Sequence, residues 1–219
     1  MNTERLESAR DAFLACIGLA EDRIVLLHDF DADGVTSGVI LELALSRAGR
    51  IHLSRISVDR VPSPWSDSNR RKVCDHTPDR LFVLDLGSRS ERLLEGVPTC
   101  YIDHHRPDGI ADGDVLITSY DWDPIPNTSL LVWQLCAALS DVVDLDWIAV
   151  IGLLSDLGDD GRFPVLRDAL QKYGAKYLRE ATVVINAVRR ASQPDPETAA
   201  RALYYIEVQR TWSYPAGRK

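Results

Sequence analysis

Asp29, Asp31 and Asp33 alternate along His28-Asp29-Phe30-Asp31-Ala32-Asp33-Gly34, directly after the apolar run Ile24-Val25-Leu26-Leu27. An extended backbone points side chains two apart the same way, so Asp31 and Asp33 share one side. Two close carboxylates repel unless a proton or a cation lies between them, and a cation is the better occupant. Acidic positions recur downstream. Asp85 ends the apolar run Leu81-Phe82-Val83-Leu84, and Asp103 ends Thr99-Cys100-Tyr101-Ile102 just before His104 and His105. Asp156 stands in the otherwise apolar Gly152-Leu153-Leu154-Ser155-Asp156-Leu157. One acidic strand end means little. Three that converge, with two histidines and a further acid, argue for a divalent-metal site.

Other readings use fewer of these residues. Asp29-x-Asp31-x-Asp33-Gly34 copies the opening of an EF-hand loop, but the closing glutamate position holds Ile40. A lone Asp-x-Asp-Gly is also compatible with a solvated acidic turn, and Asp156 with a cap on the next turn. An aspartate-nucleophile phosphatase would use Asp31 to attack and Asp33 as acid, with a lysine between its later motifs. The lysines are Lys72, Lys172, Lys176 and Lys219, none between Asp85 and Asp156, and that reading leaves Asp103-His104-His105 unused.

The elements that must position these residues alternate. Residues 4–20 read as an amphipathic helix, 24–28 as a buried strand, and the next stretch as a helix to Arg47 stopped by Gly49. Residues 51–58 alternate like a half-exposed strand; 59–80 are polar, with Pro62, Pro64, Pro78 and the basic triplet Arg70-Arg71-Lys72. Strands are expected at 81–87 and 99–103, with Ser88-Arg89-Ser90-Glu91 as a capping box opening a short helix between them. Asn127 caps a helix over 127–140, and an apolar helix covers 145–157. Two more follow at 165–191 and, after Pro194 with Asp195 as cap and Pro196 in the first turn, at 196–210. The tail Trp212–Gly217 reads as frayed. Buried strands ending in carboxylates and separated by helices imply an α/β fold, a doubly wound, mostly parallel sheet flanked by helices with a helical C-terminal segment. Its ligands would bind at the carboxyl edge of the sheet.

With 219 residues, 45% of them hydrophobic, the chain is long enough for one good core plus a small appendage. A net charge of −8 advertises no overall basic field for nucleic acid, and part of that acidity is accounted for by metal ligands. No apolar run reaches the ~18 residues of a membrane span, and Met1-Asn2-Thr3-Glu4-Arg5 lacks signal-peptide character. Cys16, Cys74, Cys100 and Cys136 are scattered without a Cys-x-x-Cys, which suits reduced thiols and a cytoplasmic location. Cys74 and His76 have no second pair to complete a zinc site.

Asp31-x-Asp33-Gly34 with Ser37, then Asp85, then Asp103-His104-His105, then Asp156, resemble in order the four motifs of the DHH phosphoesterases. Asp-His-His after an apolar strand is the specific one. Asp-Phe-Asp-Ala-Asp-Gly-Val-Thr-Ser is most similar to the RecJ exonuclease branch, as is Asn186-Ala-Val-Arg-Arg-Ala-Ser192, which resembles the helix leading out of its catalytic domain. The resemblance covers residues 24–210 and implies a catalytic domain over 1–192, with 193–219 leading toward a second domain.

The resemblance further implies two ions, Mn²⁺ or Mg²⁺: Asp31 serving one, Asp33, His104 and Asp156 the other, and Asp85 bridging. Asp103 and His105 would be the catalytic pair, Asp103 orienting a histidine and His105 contacting phosphate. Arg106, Ser37, Asn127 and Thr128 would meet substrate, though for Asn127 and Thr128 plain capping serves equally. His28 is not expected to be a ligand. The family's second domain carries a glycine- and histidine-rich motif, whereas the histidines here are His28, His52, His76, His104 and His105. The chain is therefore expected to be a catalytic-domain fragment or a short member completed by a partner protein. The implied activity is a metal-dependent phosphodiesterase of the exonuclease type on single-stranded nucleic acid or short oligonucleotides. A non-catalytic replication scaffold and a small-nucleotide or cyclic-dinucleotide phosphoesterase are the alternatives.

Overall fold

The computed structural model describes residues 3–60, 63–191 and 195–211. Helix α1 (Thr3–Cys16) precedes β1 (Ile24–His28), α2 (Ala32–Arg47) and β2 (Leu53–Ser57). Helix α3 (Asp67–Asp75) leads to β3 (Arg80–Leu84), β4 (Thr99–Asp103) and β5 (Val115–Thr118). The chain finishes in helices α4 (Thr128–Cys136), α5 (Asp146–Leu157), α6 (Pro164–Ala169), α7 (Ala175–Arg190) and α8 (Pro196–Thr211). The five strands form one sheet in the order β2-β1-β3-β4-β5, every pairing parallel. The fold is the α/β class expected.

The uninterrupted apolar strands follow from burial on both faces, as parallel sheets require. Ile24 and Leu26 of β1, Phe82 and Leu84 of β3, and Cys100 and Ile102 of β4 face the larger core, with α1, α2, α4 and α5. Val25, Leu27, Leu81, Val83 and Tyr101 face a smaller core closed by Trp65, Val73, Leu93 and Leu94. Helix α2 lies innermost and is buried over most of its circumference, its buried Thr36 and Ser37 hydroxyls bonding back to carbonyls of the preceding turn. Chain connections leave β1 toward β2 on one side and continue from β3 on the other. In this strand order the switch point lies between β1 and β3, where a ligand crevice opens beyond their carboxyl ends.

The structure departs from expectation in several places. The stretch 59–80 contains α3, capped by Ser66, whose hydroxyl accepts from the Asn69 N–H at 3.3 Å. Two residues of its basic triplet, Arg70 and Lys72, are held in structural contacts, while Arg71 is exposed. Arg70 donates to the carbonyls of Trp65, Arg92 and Leu93, and Lys72 pairs with Asp59. No helix starts at Ser88-Arg89-Ser90-Glu91: Arg89 bridges to Asp108, Glu91 pairs with Arg70, and Leu93 and Leu94 are drawn into the smaller core. Tertiary burial outweighs the local cap. Strand β5 was not foreseen. The long helix over 165–191 is broken by a π-turn at Leu170–Gly174, where Gly174 takes φ +89°. Helix α1 ends at Cys16 before Gly18 at φ +70°, and α4 ends at Cys136. Among the described residues no helix is long and apolar enough to cross a membrane, and the four cysteines form no disulfide. Pro194 and the Trp212–Gly217 tail lie outside the described residues.

Candidate metal centre

The acidic loop is built by two local devices. Asp31 is the N-cap of α2, its Oδ1 accepting from the Gly34 N–H at 3.1 Å. Gly34 is required there because a Cβ would lie 2.4 Å from the Asp29 carbonyl oxygen. The loop thus folds back on itself and turns Asp29, Asp31 and Asp33 into the crevice. Asp85, just past β3, adopts φ +61°, a left-handed conformation that aspartate tolerates better than most residues.

These devices assemble a compact cluster. His104 Nε2 lies 3.4 Å from Asp85 Oδ1, 3.4 Å from Asp156 Oδ2 and 3.7 Å from Asp33 Oδ2. Three overlapping groups have potential ligand atoms within 4.8 Å of one another: Asp33, His104 and Asp156; Asp29, Asp31 and Asp85; and Asp85, Asp103, His104 and His105. Asp85 belongs to two of them. Asp29 is the residue that sequence reasoning left out, although the alternation through Asp31 and Asp33 already included it. Cys74 and His76 join no such group among the described residues.

Helix α4 holds the cluster from behind. Asp33 is buried, and it accepts from Asn127 Nδ2 at 2.7 Å, the Thr128 N–H at 3.0 Å and the Ser129 N–H at 2.7 Å. Asn127 also caps α4 through the Leu130 N–H, and the Thr128 hydroxyl donates to Asp85 Oδ1 at 3.0 Å. The anion at this helix N-terminus is thus the protein's own carboxylate. Asp103 Oδ2 accepts from the Gly87 N–H, while its Oδ1 accepts from the His105 N–H at 2.7 Å and the ring Nδ1 at 2.8 Å.

The remaining candidates are placed differently. Ser37 is fully buried, and its hydroxyl donates to the Gly34 carbonyl at 2.8 Å, inside α2 rather than in the cleft. Arg106 is exposed beside the histidine pair. His28 is fully buried and bonded at both ring nitrogens: Nδ1–H donates to the Asp29 carbonyl at 2.5 Å, and Nε2 accepts from Arg55 at 2.9 Å. Arginine cannot accept, which fixes the neutral tautomer. Burial, with Arg55 adjacent, drops the His28 pKa to about 3. A histidine spent on both sides is a support of the acidic loop and not a ligand.

Charge in the cluster is held at high cost. Burial, then the charges of Asp156 and Asp31, raise Asp33 well above the usual carboxylate range; burial, then Asp33 and Asp31, do the same to Asp85. Burial and the Asp31 charge push Asp29 up to about 6 and raise Asp156. Burial also works against the charged form of Asp103, but its bonds from His105 outweigh it and hold Asp103 low. The bond to Asp103 raises His105, and burial lowers His104. Hard oxygen donors crowded around one imidazole, and destabilised by one another, fit a hard divalent metal such as Mn²⁺ or Mg²⁺.

A cavity of about 700 Å³ opens beside Asp156, with Arg60, Arg189 and Arg190 on its walls. Arg189 Nη1 stands 3.2 Å from Asp31 Oδ2, and Asn186 of the same helix ties the Ala32 N–H to the Ser155 hydroxyl. A second cavity, of about 290 Å³, lies next to Phe30, Asp85 and His105.

No protein-family model and no curated protein matches the chain. Solved structures do. An exonuclease RecJ bound to manganese superposes with TM-score 0.62 at 19% identity, over 91% of this chain and 55% of the other. A DHH domain described as a member of the S1p family of ribosomal proteins gives TM-score 0.66 at 19% identity, over 84% and 53%. CDC45 from Entamoeba histolytica gives TM-score 0.52 at 18% identity, over 80% and 38%. The chain spans about half the length, or less, of these structures. The polypeptide has the RecJ-like DHH fold, with its acidic and histidine cluster at the switch point of that sheet.

Proposed function

We propose that the chain is the catalytic half of a metal-dependent phosphodiesterase, acting on single-stranded nucleic acid or short oligonucleotides from an end. The observation that carries this reading is the place of Asp85: it groups with Asp29 and Asp31, and its Oδ1 lies 3.4 Å from Nε2 of His104, the histidine that also groups with Asp33 and Asp156. Asp33, His104 and Asp156 would hold one ion, Mn²⁺ or Mg²⁺, Asp29 and Asp31 would hold a second, and Asp85 stands where it could serve both. When bound, such a pair activates a water and stabilises charge on a scissile phosphate.

The chain's own residues do the rest. Asn127, Thr128 and Ser129 fix the direction of the Asp33 carboxylate, as outer partners of a metal ligand do. Asp103 clamps the His105 ring and favours its protonated form, in which the free Nε2–H would donate to a phosphate oxygen as charge develops there. Arg60, Arg189 and Arg190 supply the anion-binding wall for the phosphates of the strand. Arg106 beside the histidines adds positive charge. In this reading a second domain following 193–219, or a partner protein, would cover the cleft.

The CDC45 likeness supports a scaffold reading, but a scaffold has no need of five carboxylates, Asp29, Asp31, Asp33, Asp85 and Asp156, kept in mutual repulsion. The test is hydrolysis of end-labelled single-stranded DNA and RNA, beside linear and cyclic dinucleotides, with Mn²⁺ and with chelator. Mn²⁺-dependent release of mononucleotides supports the reading. Absence of hydrolysis on every substrate, with Mn²⁺ bound, favours the scaffold.

A further inference from the structure

We infer that the smaller cavity, of about 290 Å³, is a nucleobase subsite and that Phe30 is the residue that recognises the base. The inference rests on the phosphodiesterase reading and narrows its substrate to nucleotides, as against base-free phosphate esters and polyphosphate.

Phe30 lines both cavities. The two cavities differ in chemistry. The larger carries Arg60, Arg189 and Arg190 and suits a chain of phosphates. The smaller is walled by Phe30, Val58, Pro64 and Leu86, with Asp85 and His105 at its inner end. Among the described residues that line it, His105 alone can carry positive charge, and no arginine or lysine is there to pair a second phosphate. An uncharged flat ring needs no such partner.

The apolar wall is rigid. Phe30 and Leu86 are half-buried and pack against the smaller core, of which Val58 is a buried member. Phe30 is also pinned by its neighbours in sequence, Asp29 and Asp31, both members of the acidic cluster. Its own N–H donates to Asp29 Oδ1 at 2.7 Å. The backbone that carries the ring is thereby tied to the acidic cluster, and the ring itself packs against the smaller core. A half-exposed aromatic held this firmly beside a reacting centre is a stacking platform: every base offers a π-face, so the contact is tolerant of base identity. The volume stands at the lower edge of the ~300–1,000 Å³ range of small-ligand clefts, which suits one base and not a stack of them.

The experiment compares equilibrium binding of 5′-AMP and ribose 5-phosphate, both with Mn²⁺, to the wild-type chain and to Phe30→Ala, Phe30→Leu and Phe30→Tyr. Wild type should bind AMP on the order of tenfold more tightly than ribose 5-phosphate. Phe30→Ala should remove that preference by weakening AMP alone. Phe30→Leu, which keeps core packing, should remove it without loss of thermal stability, and Phe30→Tyr should retain it. UMP should behave as AMP does. Equal wild-type affinity for AMP and ribose 5-phosphate, or a Phe30→Leu variant that keeps the full preference, would overturn the proposal. Hydrolysis is scored separately: a chain that binds AMP through Phe30 but cleaves no phosphodiester retains the base subsite and loses the enzymatic reading.

Discussion

Asp103 Oδ1 accepts both the backbone N–H and the ring Nδ1–H of His105, at 2.7 and 2.8 Å. Its neighbour His104 turns the other way, with Nε2 within 3.7 Å of three carboxylates. Two adjacent histidines are thereby given different work, one inside the ligand cluster and one held over it. His104→Ala should lose Mn²⁺ affinity and turnover together. His105→Ala should keep Mn²⁺ affinity in calorimetry and lose roughly 10²-fold in turnover, as removal of one transition-state donor does. Equal loss of metal in both variants would mean the pair is misassigned.

The N-terminus of α4 makes a separate prediction. Asn127 both caps the helix and donates to Asp33. Asn127→Ala should cost about 1–2 kcal/mol of stability from the lost cap. It should also weaken Mn²⁺ binding roughly 10–100-fold by freeing the Asp33 carboxylate. Thermal melts without metal and Mn²⁺ calorimetry read the two effects apart. A variant that loses stability but keeps full Mn²⁺ affinity would reduce Asn127 to a helix cap.

Raised carboxylate pKa values make the metal-free cluster sensitive to pH. Asp29, Asp33, Asp85 and Asp156 bind protons more tightly folded than in an unfolded chain, where aspartate titrates near 4. The native state therefore holds more of these protons, and the cluster's contribution to stability falls as pH rises from about 4 through about 6, the Asp29 value, and above. His28, lowered to about 3, works in the opposite sense and is common to any variant of the cluster. Without metal, Asp85→Asn should melt higher than wild type by a margin that grows from about pH 5 to about pH 8. A margin that shrinks with pH would contradict the mutual repulsion inferred here.

Strand binding by this chain alone should be weak. Arg60, Arg189 and Arg190 are the cleft's basic wall, in a chain of net charge −8. With about −0.7 per phosphate contact for single strands, three contacts give a slope of log affinity on log salt near −2. Single-strand affinity measured against salt should be micromolar or weaker with that shallow slope. Nanomolar affinity with a steep slope would show that a complete groove already exists in these residues.

The sheet was legible because buried parallel strands are continuous apolar runs, and β1, β3 and β4 announce themselves so. Strand β5, at the edge and only partly buried, lacks that signature. The helix expected at Ser88 failed because a local cap is worth less than the burial of Leu93 and Leu94. That Asp31, Asp33, Asp85, His104 and Asp156 converge was readable from their places at strand and helix ends, which a parallel sheet brings to one edge. The roles of Asn127 and Thr128 were not, because a helix N-terminus in sequence does not say which anion it will meet; here it is Asp33. Arg189 and Asn186 lie far along the chain from Asp31 and Ala32, and only tertiary packing brings them there.

The central claim is most directly tested by removing the shared carboxylate. Asparagine preserves the left-handed backbone that Asp85 adopts at φ +61°, so Asp85→Asn changes charge and leaves the turn intact. Mn²⁺ should raise the melting temperature of the wild-type chain, since a cation that binds only the folded state stabilises it, and should support hydrolysis of a short single-stranded oligonucleotide. In Asp85→Asn most of the Mn²⁺-induced rise and the hydrolysis should disappear together. A full Mn²⁺ response and undiminished hydrolysis in that variant would place the metal and the chemistry elsewhere.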